Sequence, residues 1–261
     1  MKDIIQSLWI GDELSNIEKL CIKSYLFQGS QFHLYTYGQV KGVPDGTIIK
    51  DGNKILDQSL IFRDRNGSLG AFSDWFRFEM LYKKGGFYVD MDMICLKPFD
   101  FESDEIVFGK EDSKTVSGAI MKFPKGHSLC RHMADRCMKP NTILEYDTNR
   151  HKRKKLYRKI VNKNHLKYTD WGETAGPAGF SAYLKHKSMF DNAKPFHYFF
   201  PVHHKNWLAL FDLTFKDSNN YFSDSYAVHL WNENLRNNGI DKNSVFEADS
   251  FFEKLLAQYN V

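Results

Sequence analysis

None of the four cysteines, Cys21, Cys95, Cys130 and Cys137, forms a CxxC pair. Paired metal-knuckle and dithiol signatures are therefore missing, and buried reduced thiols are the expectation. The nearest approach to a zinc set, Cys130, His132 and Cys137, falls within one apparent helix. No apolar stretch approaches the roughly 18 residues that cross a bilayer. Met1 is followed too soon by an apparent strand for a leader, so no secretory signal is expected and a cytoplasmic location is. Charge of one sign is also scarce: the formal net charge is +4, too mild to argue for nucleic acid. Neither internal repeats nor low-complexity linkers occur. What remains is a globular chain of 261 residues, 42% hydrophobic and 15% aromatic, with ample material for a core.

The elements alternate. "IIQSLWIG" reads as a strand ending at Gly11, and Ser15 is placed to cap a helix "NIEKLCIKSYLFQG". "FHLYTYG" reads as a second strand, which makes a parallel βαβ start and an α/β fold. Residues 41–70 are loop-rich. "SDWFRFEMLYKKGG" is the clearest helix, with Ser73 as its expected cap and Gly85–Gly86 at its end. "EIVFGKE", "VSGAIMKF" and the late "SYAVHLW" read as strands, and "HSLCRHMADRCM" as a helix.

Between these lies "GGFYVDMDMICLKPF", residues 85–99, a buried strand interrupted by two carboxylates. Strand alternation places Tyr88, Asp90 and Asp92 on one face. Two carboxylates so spaced stand roughly 6–7 Å apart. Their repulsion at an effective dielectric near 20 is about 2.5 kcal/mol. Water at a strand end or a bound cation could offset it. Oxygen ligands suit Mg²⁺ or Mn²⁺, which often bridge to substrate phosphates.

The stretch "FSDWFRFEMLYKKGGFYVDMDMICLKPF" (residues 72–99) resembles the core of the glycosyltransferases with a sugar-binding region containing the DXD motif. These include Och1-like and α-1,4-glycosyltransferases, bacterial capsule and lipopolysaccharide enzymes, and, by the same core pattern, the clostridial glucosylating toxins. The likeness rests on Ser-Asp, Arg, Leu-Tyr, Gly-Gly, aromatic-Tyr, Asp-x-Asp and Lys-Pro, and is looser elsewhere. It implies a GT-A, Rossmann-like fold with a central, mostly parallel sheet flanked by helices. It also implies a nucleotide-sugar donor, a divalent metal and retention of anomeric configuration. Residues 1–261 would form one such domain, with about 1–125 the donor and metal half and about 126–261 the acceptor-side half.

Carried over singly, Asp90 and Asp92 resemble the metal and diphosphate pair, and His229 in "HLW" the third metal ligand. Asp74 and Arg77, three apart on one helix face, resemble the donor-sugar residues; a plain ion pair would have the same spacing. Tyr88 and Trp9 resemble donor-pocket residues, Trp9 as a stacking partner for the base, and both could equally pack in a core. Thr174 and Gly176 in "TAGP" fall on the acceptor side. Related chains often end in a Gly-Ser-Trp that "HLWNENLR" lacks, so the C-terminal lid differs.

The resemblance implies transfer of a hexose or N-acetylhexosamine to a saccharide or lipid-linked saccharide in capsule, lipopolysaccharide or other glycan synthesis. A UDP-sugar is favoured as donor, GDP-mannose is the second choice, and Mn²⁺ is favoured over Mg²⁺. The rivals are a metal-dependent phosphohydrolase or nuclease, which would want more clustered carboxylates, and a non-catalytic sugar-binding module. Arg150–Lys159, "RHKRKKLYRK", carries seven Lys or Arg in ten residues. It is either a solvated helix face or a peripheral contact with anionic membrane or an acidic glycan. Its sparse aromatics make nucleic acid the poorer partner.

Overall fold

The opening βαβ unit forms where its pattern predicts. In the computed structural model, which describes residues 4–162, 164–217 and 220–261, β1 is Ile4–Leu8, α1 Asn16–Phe27 and β2 Gln31–Thr36. Ser15 opens α1 reciprocally with Glu18, whose carboxylate accepts from the Ser15 backbone N–H at 2.8 Å. The loop-rich stretch that follows holds a short strand, β3 (Ile48–Asp51).

Helix α2 spans Gly70–Lys84, and Gly85 ends it at φ +71°. It starts ahead of the predicted cap, so Ser73 lies inside it rather than at its mouth. β4 (Gly86–Val89) and β5 (Met93–Cys95) follow, then β6 (Val107–Lys110), β7 (Val116–Phe123) and α3 (Ser128–Met138). The remainder comprises α4 (Asn149–Val161), α5 (Pro177–His186), the single turn α6 (Phe196–Phe199), β8 (Ala227–His229), α7 (Asn232–Asn237) and α8 (Phe251–Tyr259).

Six strands form one sheet in the order β3-β2-β1-β4-β7-β6. β1 to β4 run parallel, and β7 is reversed between β4 and β6. This is the mostly parallel α/β sheet flanked by helices that the sequence predicts. Alternation divides the apolar residues of β4 between two cores: Phe87 and Val89 join α1 and α8, whereas Tyr88 joins α2, α3 and α5.

One expectation fails at the acidic segment. It is not one strand: β4 stops at Val89, residues 90–92 turn, and β5 pairs with β8 in a separate two-stranded sheet. The turn is closed by the Met93 N–H on the Asp90 carbonyl at 3.1 Å. Strand alternation therefore breaks between the two aspartates. All four cysteines are buried free thiols, with Cys130 and Cys137 in α3.

Candidate active site

β1 and β4 pair through only two residues each, Ile5 with Phe87 and Gln6 with Tyr88. Beyond them lies the crevice where strand order changes direction, the usual ligand position in an open α/β sheet. A cavity of about 560 Å³ opens there, lined by Trp9 after β1, Asp74 and Arg77 of α2, and Asp90 and Asp92 after β4. Glu111, Trp171, His204, His229 and Trp231 line it as well. A larger hollow, about 870 Å³, lies at the opposite end of the same strands around Ile4, His33 and Gly86 and holds none of these residues.

Arg77 is the hub. Its guanidinium is buried, donates to Asp90 Oδ1 at 3.0 Å, and stands 3.4 Å from Asp74 Oδ1. It also lies over the Tyr88 ring, 5.0 Å from the centroid. Tyr88 donates its hydroxyl to the same Asp90 oxygen at 3.1 Å and is bridged to Ser73 Oγ at 3.1 Å. A side chain on Gly118 of β7 would put its Cβ 2.8 Å from Arg77 Nη1, so this glycine makes the guanidinium's space. Burial raises the Asp74 carboxyl to about 6, with Arg77 opposing and Asp90 adding to the rise. Asp90 is raised too, by burial foremost, against the pull of Arg77.

Asp92 belongs to a different set of contacts. Its Oδ2 accepts from the Asn232 backbone N–H at 2.9 Å, and its Oδ1 lies 3.1 Å from His229 Nε2. Leu230 N–H bonds the Asp92 carbonyl at 2.9 Å, so residues 229–232 wrap the aspartate. Trp231 turns that wrap with φ +56°, a costly conformation for a bulky side chain. Burial alone would raise Asp92, yet His229 and the Asn232 N–H hold it below the ordinary carboxylate range. Burial opposes charging of His229, but Asp92 outweighs it and raises the imidazole above its ordinary value.

Among the described residues no three His, Cys, Asp or Glu side chains converge to enclose a metal by themselves. The donor set nonetheless fits a cation shared with a phosphate ligand. Asp92 and His229 stand together, and His229 Nδ1 is buried without a partner. Asp90 Oδ1 is already taken by Arg77 and Tyr88, which leaves its second oxygen to face that set.

Two family models match the chain. Residues 31–111 match the glycosyltransferase sugar-binding region containing the DXD motif, and residues 150–259 match the α-1,4-glycosyltransferase conserved region. The chain is a glycosyltransferase. Its family implies a divalent metal, a nucleotide-sugar donor and a saccharide acceptor. Among solved structures it is similar to PaToxG glycosyltransferase, at 15% identity and a TM-score of 0.48, covering 99% of this chain and 85% of that one. It is also similar to the ligand-free glycosyltransferase domain of the YGT toxin, at 10% identity and a TM-score of 0.47, covering 74% and 79%. No curated protein matches it.

The glycosyltransferase holds Gly176, which the sequence suggests for the acceptor side, against Asp74: a Cβ there would lie 2.7 Å from Asp74 Oδ2. Thr174 is buried and does not line the cavity; its carbonyl packs instead on Gly179, the start of α5 needing that contact. Trp171 and Glu111 are among the lining residues that the sequence did not single out. Trp171, in the same loop, is 70% exposed. Glu111, beyond β6, stands 3.5 Å from His204 Nδ1, and burial raises its carboxyl. An exposed tryptophan beside Gly-rich sequence was the available signal for the first; nothing local marks the second.

No helix among the described residues is long and apolar enough to cross a membrane.

Proposed function

We propose that this protein is a metal-dependent GT-A enzyme. It moves a hexose or N-acetylhexosamine from a nucleotide diphosphate sugar to a saccharide or lipid-linked saccharide, with retention. A UDP-sugar is the favoured donor, and the setting is capsule, lipopolysaccharide or related glycan synthesis at the cytoplasmic face of a membrane. The observation that carries this reading is the meeting of Asp74, Arg77, Asp90, Asp92 and His229 in one crevice at the strand-order switch.

Arg77 and Asp74 present a donor fork and a carboxylate to sugar hydroxyls, while Tyr88 and Arg77 fix the Asp90 carboxylate. Trp9, at the end of β1, offers its indole to the base. Asp92 and His229 would hold the cation, Asp90 reaching it through its second oxygen, and imidazole ligation favours Mn²⁺ over Mg²⁺. When bound, that cation would neutralise charge on the departing diphosphate. The acceptor hydroxyl enters past Trp171 and Gly176 on the same face as the leaving phosphate, whose oxygen takes the hydroxyl proton. Residues 1–125 thus supply most of the donor side and 126–261 the acceptor side, with 229–232 crossing back to Asp92. A two-metal phosphohydrolase is the poorer reading, because among the described residues no cluster of three or more His, Cys, Asp or Glu is present to hold a second ion.

A thermal-shift panel of UDP- and GDP-sugars, with and without Mn²⁺, tests the proposal. A true donor at a hundred times its Kd should add about 2.7 kcal/mol, only with metal. Asp92→Asn should keep the fold, lose that gain, and lose about a hundredfold or more in transfer. Metal-independent stabilisation, or full transfer by the variant, sinks the reading.

A further inference from the structure

Helix α4 is built inside out. Its buried residues are Lys155 and Arg158, while Leu156, Tyr157, Ile160 and Val161 are all exposed, Ile160 at 74%. The inward cations are paired. Lys155 meets Asp147 at 2.7 Å, and Arg158 meets Asp170 at 2.5 Å and Glu173 at 3.0 Å. Lys154 reaches the same two acids, 2.9 Å from Glu173. Three of the seven cations of the basic run thus belong to internal ion pairs rather than to a free charge patch.

The outer face has a different composition. Arg153, Leu156, Tyr157, Ile160 and Val161 recur at i, i+3, i+4, i+7 and i+8, one continuous stripe of a helix. Arg150, Lys152 and Lys159 flank it, and none of these or Arg153 forms an ion pair with a described residue. No acidic residue occurs in α4. Apolar side chains interleaved with unpaired cations are suited to the headgroup and upper acyl region of an anionic bilayer. A second copy of the same face would set cation against cation, which disfavours self-association as the cover.

We infer that the outer face of α4 is an interfacial docking surface for anionic membrane, with Leu156, Tyr157, Ile160 and Val161 entering the lipid and Arg150, Lys152, Arg153 and Lys159 meeting the headgroups. It stands on the structure of α4 alone, independently of the donor site. The same helix clamps the loop bearing Trp171 through Lys154 and Arg158, so docking is tied directly to the rim of the catalytic cavity.

The test is co-sedimentation of the full chain with phosphatidylcholine vesicles, with and without about a third phosphatidylglycerol. Three proteins are compared: wild type, Leu156→Gln/Ile160→Gln and Arg150→Gln/Arg153→Gln/Lys159→Gln. All the substituted side chains are exposed, so melting temperature should hold. The wild type should bind the anionic vesicles, and each variant should bind about tenfold or more weakly. Binding lost only in the charge variant overturns the insertion. Absence of wild-type binding overturns the docking. Concentration-dependent dimerisation that Leu156→Gln/Ile160→Gln abolishes, without vesicle binding, assigns the face to a second copy and overturns it equally.

Discussion

Asp74 carries a carboxyl that burial raises to about 6, while Arg77 pulls it down and Asp90 pushes it further up. A folded value above the unfolded one means that the native state holds a proton the unfolded chain has released. The resulting stability is fully present below about pH 4 and is lost as pH rises through about 6. Asp74→Asn cannot titrate, so its stability relative to wild type should improve over that window, by up to about 3 kcal/mol for a shift of two units. Urea unfolding of both proteins at pH 4, 5, 6 and 7 measures it. A difference independent of pH would mean that Asp74 is ionised throughout. At this scale the spacing reported neighbours and missed partners. Asp74 and Arg77 share a helix face as their spacing predicts, but the cation also serves Asp90, thirteen positions on. Side-chain spacing within one element reports its own neighbours and is silent on what another element brings.

Helices and the parallel strands were legible because their periodicity and caps are local. The acidic segment was not, because where a strand leaves its sheet depends on its pairing partner. β5 departs to pair with β8, and that pairing joins Met93 to His229 across most of the chain. Ser73 misled for a related reason: it has a good cap side chain, but α2 begins at Gly70 and uses Ser73 to steady Tyr88. Glycine inside a strand was the overlooked signal. Gly118 sits mid-β7, where a methyl group would meet Arg77 Nη1. Gly118→Ala should therefore displace the guanidinium, costing about 1–3 kcal/mol in stability and weakening donor binding more than acceptor binding. Isothermal titration with the nucleotide sugar reads it, and unchanged affinity would show that Arg77 adjusts freely.

Across the whole molecule, the crevice is assembled from both ends of the chain: the N-terminal strands supply its floor, and Trp171, Pro177, His229 and residues 231–234 its far wall. That closure is tertiary, and only the likeness of "HLW" and "AGP" to family segments hinted at it. The loop carrying Trp171 is held on both sides, since Asp170 and Glu173 are gripped by α4 and the Glu173 carbonyl accepts from buried Arg136 at 3.4 Å. A rigidly presented, solvent-facing indole suits the apolar face of a sugar ring, which in the proposed function is the acceptor's. Trp171→Ala should raise the acceptor KM by about tenfold, or ~1.4 kcal/mol, and leave hydrolysis of the donor by water unchanged. Equal loss of both activities would move Trp171 to the donor side.

The narrow seam between β1 and β4 has a further consequence. Where strands are joined by peptide groups alone, only proline removes a donor, whereas this seam is also stitched by side chains. Gln6 Nε2 donates to the carbonyls of Gly85 at 2.7 Å and Phe87 at 3.3 Å, and Ser7 Oγ to that of Val89 at 2.6 Å. Part of the cohesion between β1 and β4 is thus written in two codons, and a single base change can unpick bonds of a kind that elsewhere in the sheet only proline removes.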